Sequence, residues 1–284
     1  MQYFDFQARQ GLHILGLDRP YCANAYNQAM LAELDDYLRQ YADSDEVAAL
    51  IIHGGQSRHF CAGADLQEIR QRRAPQALSL RAREVFERLA SWPHPTIAAV
   101  SGAAVGGGME LALACDLRLG SFTCTFGFPE PELGLIPAAG GCSRASSLLG
   151  AALAKEMILF GRRLSAPEAL QAGLISEMVS PDALLECAAS WAQRAMKHTP
   201  LANRLAKQAI DSVQPLDSSL RLEGVSQAVL YEMAQAKAPE TKAQNTKAPE
   251  AEAPEAKTPK AEAPEPRTPK AEAPEAKAPE PKAP

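Results

Sequence analysis

The sequence predicts an α/β fold that closes in a helix-rich segment, and three observations carry the prediction. Two apolar, β-branched runs, Leu12 to Leu17 (LHILGL) and Val47 to His53 (VAALIIH), are bounded by turn residues and read as strands. Between them, Ala29 to Tyr41 places Met30, Leu31, Leu34, Tyr37, Leu38 and Tyr41 at steps of three and four, an amphipathic helix across which the two strands can run parallel. Beyond Ala154, helical patterning recurs in AKEMILF, APEALQAGL, DALLECAASWAQRAM and LANRLAKQAI, so strand and helix alternation gives way to helices.

The elements between follow the same logic. A helix is expected over Leu78 to Ala90, with Leu78, Val85 and Leu89 on one side, and the WPHP turn at Trp92 to Pro95 ends it. Thr96 to Val100 (TIAAV) reads as a buried strand, and a glycine run then opens a helix over Gly107 to Ala114. Leu117 to Leu119 and Phe122 to Phe126 read as short strands, and a helix carrying Leu148, Leu149 and Leu153 follows the loop GFPEPELGLIPAAGG.

Eleven of the 22 prolines lie in the last 51 residues, which places a domain boundary near residue 233. Residues 1–233 form the expected folded domain, with a C-terminal helical region over about 190–233. Residues 234–284 are a low-complexity Ala/Pro/Lys/Glu tail with a ten-residue period from Ala251 to Glu280. From Lys237 onward nine basic residues balance nine acidic ones, so the formal charge of −5 belongs to the folded part. A neutral, proline-punctuated tail is expected to act as a semi-rigid spacer, with protein contact as an alternative, rather than as a nucleic-acid or membrane arm.

No window approaches the roughly 18 apolar residues that cross a bilayer, and the opening MQYFDFQARQ has no leader-like run, so a cytoplasmic location and no membrane insertion are expected. Cys22, Cys61, Cys115, Cys124, Cys142 and Cys187 are scattered without ligand spacing and read as buried thiols. His13, His53, His59, His94 and His198 are equally dispersed, and no metal site is expected.

Two glycine-bearing loops follow apolar strands. In HFCAGADL, His59 to Leu66, Gly63 permits a tight path that can turn the next amides toward a ligand oxygen. Gly106, Gly107 and Gly108 open a helix whose free amides and positive end favour an anion. Together the two loops could make an oxyanion hole, or simply be close-packed turns. Neither matches a Walker loop or the GxGxxG dinucleotide pattern. Glu110 lies among Met109, Leu111, Ala112 and Leu113, and Glu130 sits between two prolines in an otherwise apolar loop. Acids in such surroundings should hold protons near neutral pH and could share one water as acid and base. For Glu110, a helix-start acid favoured by the macrodipole is the alternative. Glu132 is a decoy two residues from Glu130, and Asp116 is expected to be a cap or an ion-pair partner.

In these segments the chain resembles the enoyl-CoA hydratase/isomerase, or crotonase, superfamily. The likeness runs from about residue 10 to about 230 through LDRPYCANAYN, HFCAGADL, AAVSGAAVGGGMELALACDLRLG, FGFPEPELGLIPAAGGCSRASSLLG and LSAPEALQAGLISEMV. It implies a crotonase-like spiral of ββα units with a C-terminal helical region, assembled as a homotrimer or a hexamer of two trimers. It also implies an acyl-CoA substrate, with coenzyme A entering as part of the thioester and no separate cofactor. Glu110 and Glu130 fall at the paired catalytic positions, Ala64 and Gly107 at the oxyanion hole. The resemblance extends the substrate and CoA contacts to Cys61, Ala62, Gly63, Asp65, Leu66, Gly106, Phe128, Pro137 and Ala138. The reaction implied is syn addition of water to a 2,3-enoyl-CoA, Glu110 activating the water and Glu130 supplying the C2 proton. Double-bond isomerisation, dehydration of an aromatic, alicyclic or otherwise nonstandard acyl group, and a non-catalytic acyl-CoA-binding or scaffold role are the alternatives.

The chain also departs from the family. Tyr21, Cys22 and Ala23 replace residues that are commonly basic near CoA, leaving Arg19 and Arg58 as substitutes. Ala138 follows Pro137 where glycine is usual, so a positive φ there would be strained. Phe128 stands where a polar Gln is frequent and predicts a drier pocket beside Glu130. The arginine-rich stretch Gln67 to Ala77 reads either as a pocket wall or as a solvated helix face.

Overall fold

The computed structural model describes residues 1–211 together with Ala228 and Glu232, all within one compact unit spanning Met1–Pro239. The repeat tail expected from residue 234, and the part of the helical region beyond Asp211 apart from those two residues, lie outside the described residues.

The chain opens with a hairpin, β1 (Phe4–Arg9) and β2 (Leu12–Leu17), turned at Gln10 and Gly11. Both have positive φ, 48° and 84°, the pairing that matches the twist of a two-residue turn. Helix α1 (Gln28–Gln40) follows, its first turn capped by Asn27, whose Oδ1 accepts from the Met30 amide at 2.8 Å. Strand β3 (Ala49–His53) then pairs parallel to β2, as the intervening helix requires. Helices α2 (Leu66–Gln71), α3 (Ala74–Leu78) and α4 (Arg81–Ala90) lead to β4 (Thr96–Val100).

The next unit is β5 (Ala103–Val105), α5 (Gly107–Ala114), β6 (Leu117–Ser121) and β7 (Thr125–Gly127), ended by a 3₁₀ turn at Glu130–Leu133. Helix α6 (Gly141–Leu159) breaks at Gly150, where φ is 79°. After it come β8 (Leu164–Ser165), α7 (Ala166–Gln171), β9 (Met178–Val179), α8 (Leu184–Met196) and α9 (Pro200–Asp211). This is the expected spiral of ββα units with a helical C-terminal region. Six strands form one sheet in the order β1-β2-β3-β4-β6-β9, parallel except at β1, and β5-β7-β8 form a second.

The alternation of side chains explains why β2, β3 and β4 are apolar throughout. Leu15, Leu17, Leu50, Ile52, Ala98 and Val100 face α1 and α4, while Leu12, Ile14, Ala49, Ile51, Ile97 and Ala99 face Leu184, Ala188 and Ala192 of α8. Each strand is buried on both faces, so period-two patterning disappears.

Several expectations need correction. The helix expected over Leu78 to Ala90 is interrupted: α3 stops at Leu78, Leu80 is extended with ψ 109°, and α4 starts one residue later. Leu78 is therefore 51% exposed rather than aligned with Val85 and Leu89, and Leu80 is buried in its place. The strand expected from Phe122 starts at Thr125, because Ser121 to Cys124 forms a turn closed by a 3.0 Å bond from the Cys124 amide to the Ser121 carbonyl. Phe122 is 58% exposed. Of the six thiols expected to be buried, Cys61, Cys115 and Cys124 are; Cys22, Cys142 and Cys187 are half-buried. No described helix is long and apolar enough to cross a membrane.

Candidate active site

Two short parallel pairings outside the sheets bring the glycine loops together. Tyr26 bridges Ala64, with the Tyr26 amide donating to the Gly63 carbonyl at 2.8 Å and the Asp65 amide to the Tyr26 carbonyl at 2.9 Å. Those bonds flank Ala64 and turn its own N–H away from the pairing. Cys61 bridges Ala104 in the same manner, donating to Ala103 and accepting from Val105, both at 3.1 Å. The first loop is thereby laid along β5, which ends where α5 begins.

Gly63 has φ 96°, and a Cβ there would stand 3.0 Å from the Val105 carbonyl oxygen and 3.1 Å from the Gly107 amide nitrogen. The loop thus reaches the first turn of α5 only because it has no side chain. Among the described residues, neither the Ala64 nor the Gly107 N–H is given to a backbone acceptor. Gly107 is held to glycine from the other side: a Cβ would run into the Tyr26 hydroxyl and stand 2.7 Å from ring atoms Cε1 and Cζ.

The acids come from two further elements. Glu110, on the first turn of α5, is 3% exposed. Its Oε1 accepts from the amides of Ala139 at 2.7 Å and Gly141 at 2.9 Å, so it binds the start of α6. Glu130 begins the 3₁₀ turn after β7, and its Oε2 is buried with no hydrogen-bond partner. Burial pushes its carboxyl up to about 7. Its Oε1 faces Gly106, where a Cβ would come within 3.0 Å.

Both carboxylates line one cavity of about 100 Å³ with Ala64, Gly106, Gly107 and Tyr26. Of the expected contacts, Ala62, Gly63, Leu66 and Ala138 also line it. Cys61, Asp65, Phe128 and Pro137 are not among its lining. The Cys61 thiol is fully buried, pushed up to about 12 by burial, and close to the Asn24 carbonyl at 3.1 Å. Asp65 caps α2 through the Gln67 amide and pairs with Arg19 at 3.2 Å. Phe128 lies beside the Gly141 support of Glu110: a Cβ on Gly141 would meet Phe128 Cε1 and Glu110 Oε1, each at 2.9 Å.

The other departures resolve in plain terms. Ala138 does not adopt a positive φ, so the feared strain is absent; Gly140, at φ 105°, makes the left-handed turn instead. Arg19, 8% exposed, is committed to the Ala25 carbonyl and Asp65, while Arg58 is exposed. Glu132 is exposed, and Asp116 is an ion-pair partner, bonded to the Thr96 amide at 2.8 Å and to Lys207 Nζ at 2.9 Å. The arginine-rich stretch serves both purposes foreseen: Ile69 and Arg72 line the cavity, while Gln67, Arg70 and Arg73 face outward.

Tyr26 and Arg72 were not singled out in the sequence. The Tyr26 hydroxyl is held protonated by burial, then by the charge of Glu110, and its ring meets Phe86 edge-on at 5.6 Å. The available signal was its place beside Asn27, the cap of α1, within LDRPYCANAYN. Ala228 packs with Leu135, Ile69 and Ala74, two of which, Leu135 and Ile69, line the cavity.

Comparison with known proteins bears on this geometry. The family described as enoyl-CoA hydratase/isomerase matches residues 7–244. The chain is 40% identical over 227 residues to enoyl-CoA hydratase domain-containing protein 2, mitochondrial, of Homo sapiens, covering 77% of this chain and 78% of that protein. It is 38% identical over 206 residues to the 2,3-dehydroadipyl-CoA hydratase of Escherichia coli, covering 72% and 80%. The crystal structure of enoyl-CoA hydratase from Bacillus anthracis superimposes with a TM-score of 0.72 at 36% identity, over 80% of this chain and 90% of that one.

Proposed function

The chain belongs to the enoyl-CoA hydratase/isomerase family, and from that premise we propose that it is a hydratase of the two-glutamate kind, adding water reversibly across the 2,3-double bond of an enoyl-CoA. The observation that carries the reading is one small cavity lined by two carboxylates, one from the first turn of α5 and one from the 3₁₀ turn after β7, and by two amides not given to a backbone acceptor among the described residues.

The thioester oxygen accepts from the Ala64 and Gly107 amides. Charge grows on that oxygen as water attacks C3, so the amides stabilise the enolate-like transition state more than the substrate. Glu110, fixed by the first amides of α6, takes a proton from the attacking water as oxygen bonds to C3. Glu130, protonated near neutrality because it is desolvated, delivers a proton to C2. The reverse reaction uses the same groups with their protonation exchanged. Family resemblance supports assembly as a trimer or hexamer, and exposed Leu159 and Phe160 at the end of α6 supply apolar surface for it.

Double-bond migration is the second reading, because Glu130 alone could carry a proton between C2 and C4. E110A and E130A should each lower hydration of crotonyl-CoA by at least about 100-fold. Near-normal hydration by both variants would overturn the mechanism. Hydration absent in the native enzyme, with migration on 3-enoyl-CoA surviving E110A, would select the isomerase.

A further inference from the structure

Tyr26 lines the active-site cavity and has no part in the reaction as written above. Its backbone and its side chain reach both amides of the oxyanion hole. The backbone bridges Ala64, bonding to the residues on either side of it. The side chain crosses to Gly107, where a Cβ would run into the hydroxyl, so the phenol stands against the Cα that carries the Gly107 N–H. Gly106, one residue earlier, faces Glu130 Oε1 instead. The phenol therefore keeps company with the amides, and the Glu130 carboxyl with the residue before them.

The surroundings fix this side chain in place. Buried Asn24, held at φ 57°, donates from Nδ2 to the carbonyls of Gly54 at 2.8 Å and Phe60 at 3.0 Å, and accepts from the Arg19 amide at 3.0 Å. The Arg19 guanidinium secures the Ala25 carbonyl, and the Tyr26 ring rests edge-on against buried Phe86. Yet among the described residues the Tyr26 hydroxyl enters no hydrogen bond, unlike that of Tyr37, which meets His13 Nδ1 at 2.9 Å. A buried hydroxyl without a partner is costly, so a rigid one that opens on a cavity points to a ligand atom. Burial, then the charge of Glu110, keeps the phenol protonated, and what it offers is an O–H donor. The acceptor that belongs beside Gly107 is the thioester oxygen.

We propose that Tyr26 is a third donor of the oxyanion hole, its O–H joining the Ala64 and Gly107 amides on the thioester oxygen. The proposal rests on the acyl-thioester reading of the cavity and deepens it. No bond breaks at the phenol; the proton stays on Tyr26 while the hydrogen bond shortens as charge grows on the oxygen. A donor already fixed in position gives its stabilisation without reorganising.

The test is Y26F, which removes the hydroxyl and keeps the ring. Hydration of crotonyl-CoA should fall about 10- to 100-fold in kcat with little change in KM, because the charge develops only in the transition state. The melting temperature should match that of the native chain, since the hydroxyl bonds to no described residue. The readout that needs no turnover is the carbonyl stretch of bound butyryl-CoA, isotope-labelled at the thioester carbon. Each donor lowers that frequency, so it should lie higher in Y26F than in the native enzyme. An unchanged frequency would overturn the proposal, and joined to slower hydration it would assign the hydroxyl to the attacking water. A higher frequency accompanied by a melting temperature lowered by about 5 °C or more would also overturn it, the loss then being one of fold. If the native enzyme fails to hydrate crotonyl-CoA while Y26F still raises the frequency at unchanged melting temperature, the hydratase reading fails and the third donor stands.

Discussion

Replacement of Glu130 by Gln tests stability and chemistry on one group. Burial raises its carboxyl from an ordinary 4.5 to about 7, a shift equivalent to about 3 kcal/mol. The folded chain binds this proton more tightly than the unfolded chain does. The contribution is therefore fully present below 4.5 and lost as pH rises through 7. Gln has nearly the same shape and does not ionise, so E130Q should gain stability over the native chain by up to about 3 kcal/mol between about pH 5 and about pH 8. Urea denaturation of both proteins across that interval measures the difference. Parallel stability curves would refute the claim that this site desolvates its acid. The same proton should appear in the kinetics. Hydration needs that proton on Glu130 and dehydration needs it on Glu110, one proton on the pair either way, and the reaction takes up no net proton, so kcat/KM should fall in both directions as pH rises through about 7. A kcat/KM that stays level in both directions across that interval would remove Glu130 from the role of C2 acid.

Three further outcomes are expected. G107A should lose hydration by about 100-fold or more and destabilise the fold by about 1–3 kcal/mol, because the new methyl meets the buried Tyr26 ring and displaces the amide; native kcat/KM would show that the Gly107 amide is idle. Burial pushes His13, His53 and His94 below the ordinary 6.5, so their contribution is present above that value and lost as pH falls below it; in E130Q, where the opposing acid is gone, the melting temperature should drop between about pH 7 and about pH 5, and a flat profile would contradict this. A chain cut after Met233 should keep its assembly and its hydration rate, measured by light scattering and steady-state kinetics, unless the proline-rich tail takes part in either.

What could be read in advance follows from how each element is buried. Strands β2, β3 and β4 were visible as continuous apolar runs because helices cover both their faces. Strand β1 was missed because exposed Asp5 and Arg9 and half-buried Gln7 on an edge strand break up its hydrophobicity. Strands β8 and β9, two residues each, carry no period at all. In the site, Glu110, Glu130 and the two glycine loops stood out locally, as charge within apolar sequence and as glycine where a chain must pass closely, whereas Ala64 and Gly107 were picked out only by the family resemblance. Tyr26 owes its position to the bridge at Ala64, a long-range pairing that local patterning does not carry, and Arg72 to the break between α2 and α3, marked in the sequence only by Pro75 within the arginine-rich stretch.

The grip of Glu110 on the amides of Ala139 and Gly141 joins two helices that begin 34 residues apart. In a refolding chain the carboxylate is correctly aimed only after the turn at Gly140 has closed. Return of hydration would therefore lag behind recovery of helical signal and coincide with docking of α6, making the reaction itself a clock for the last step of assembly.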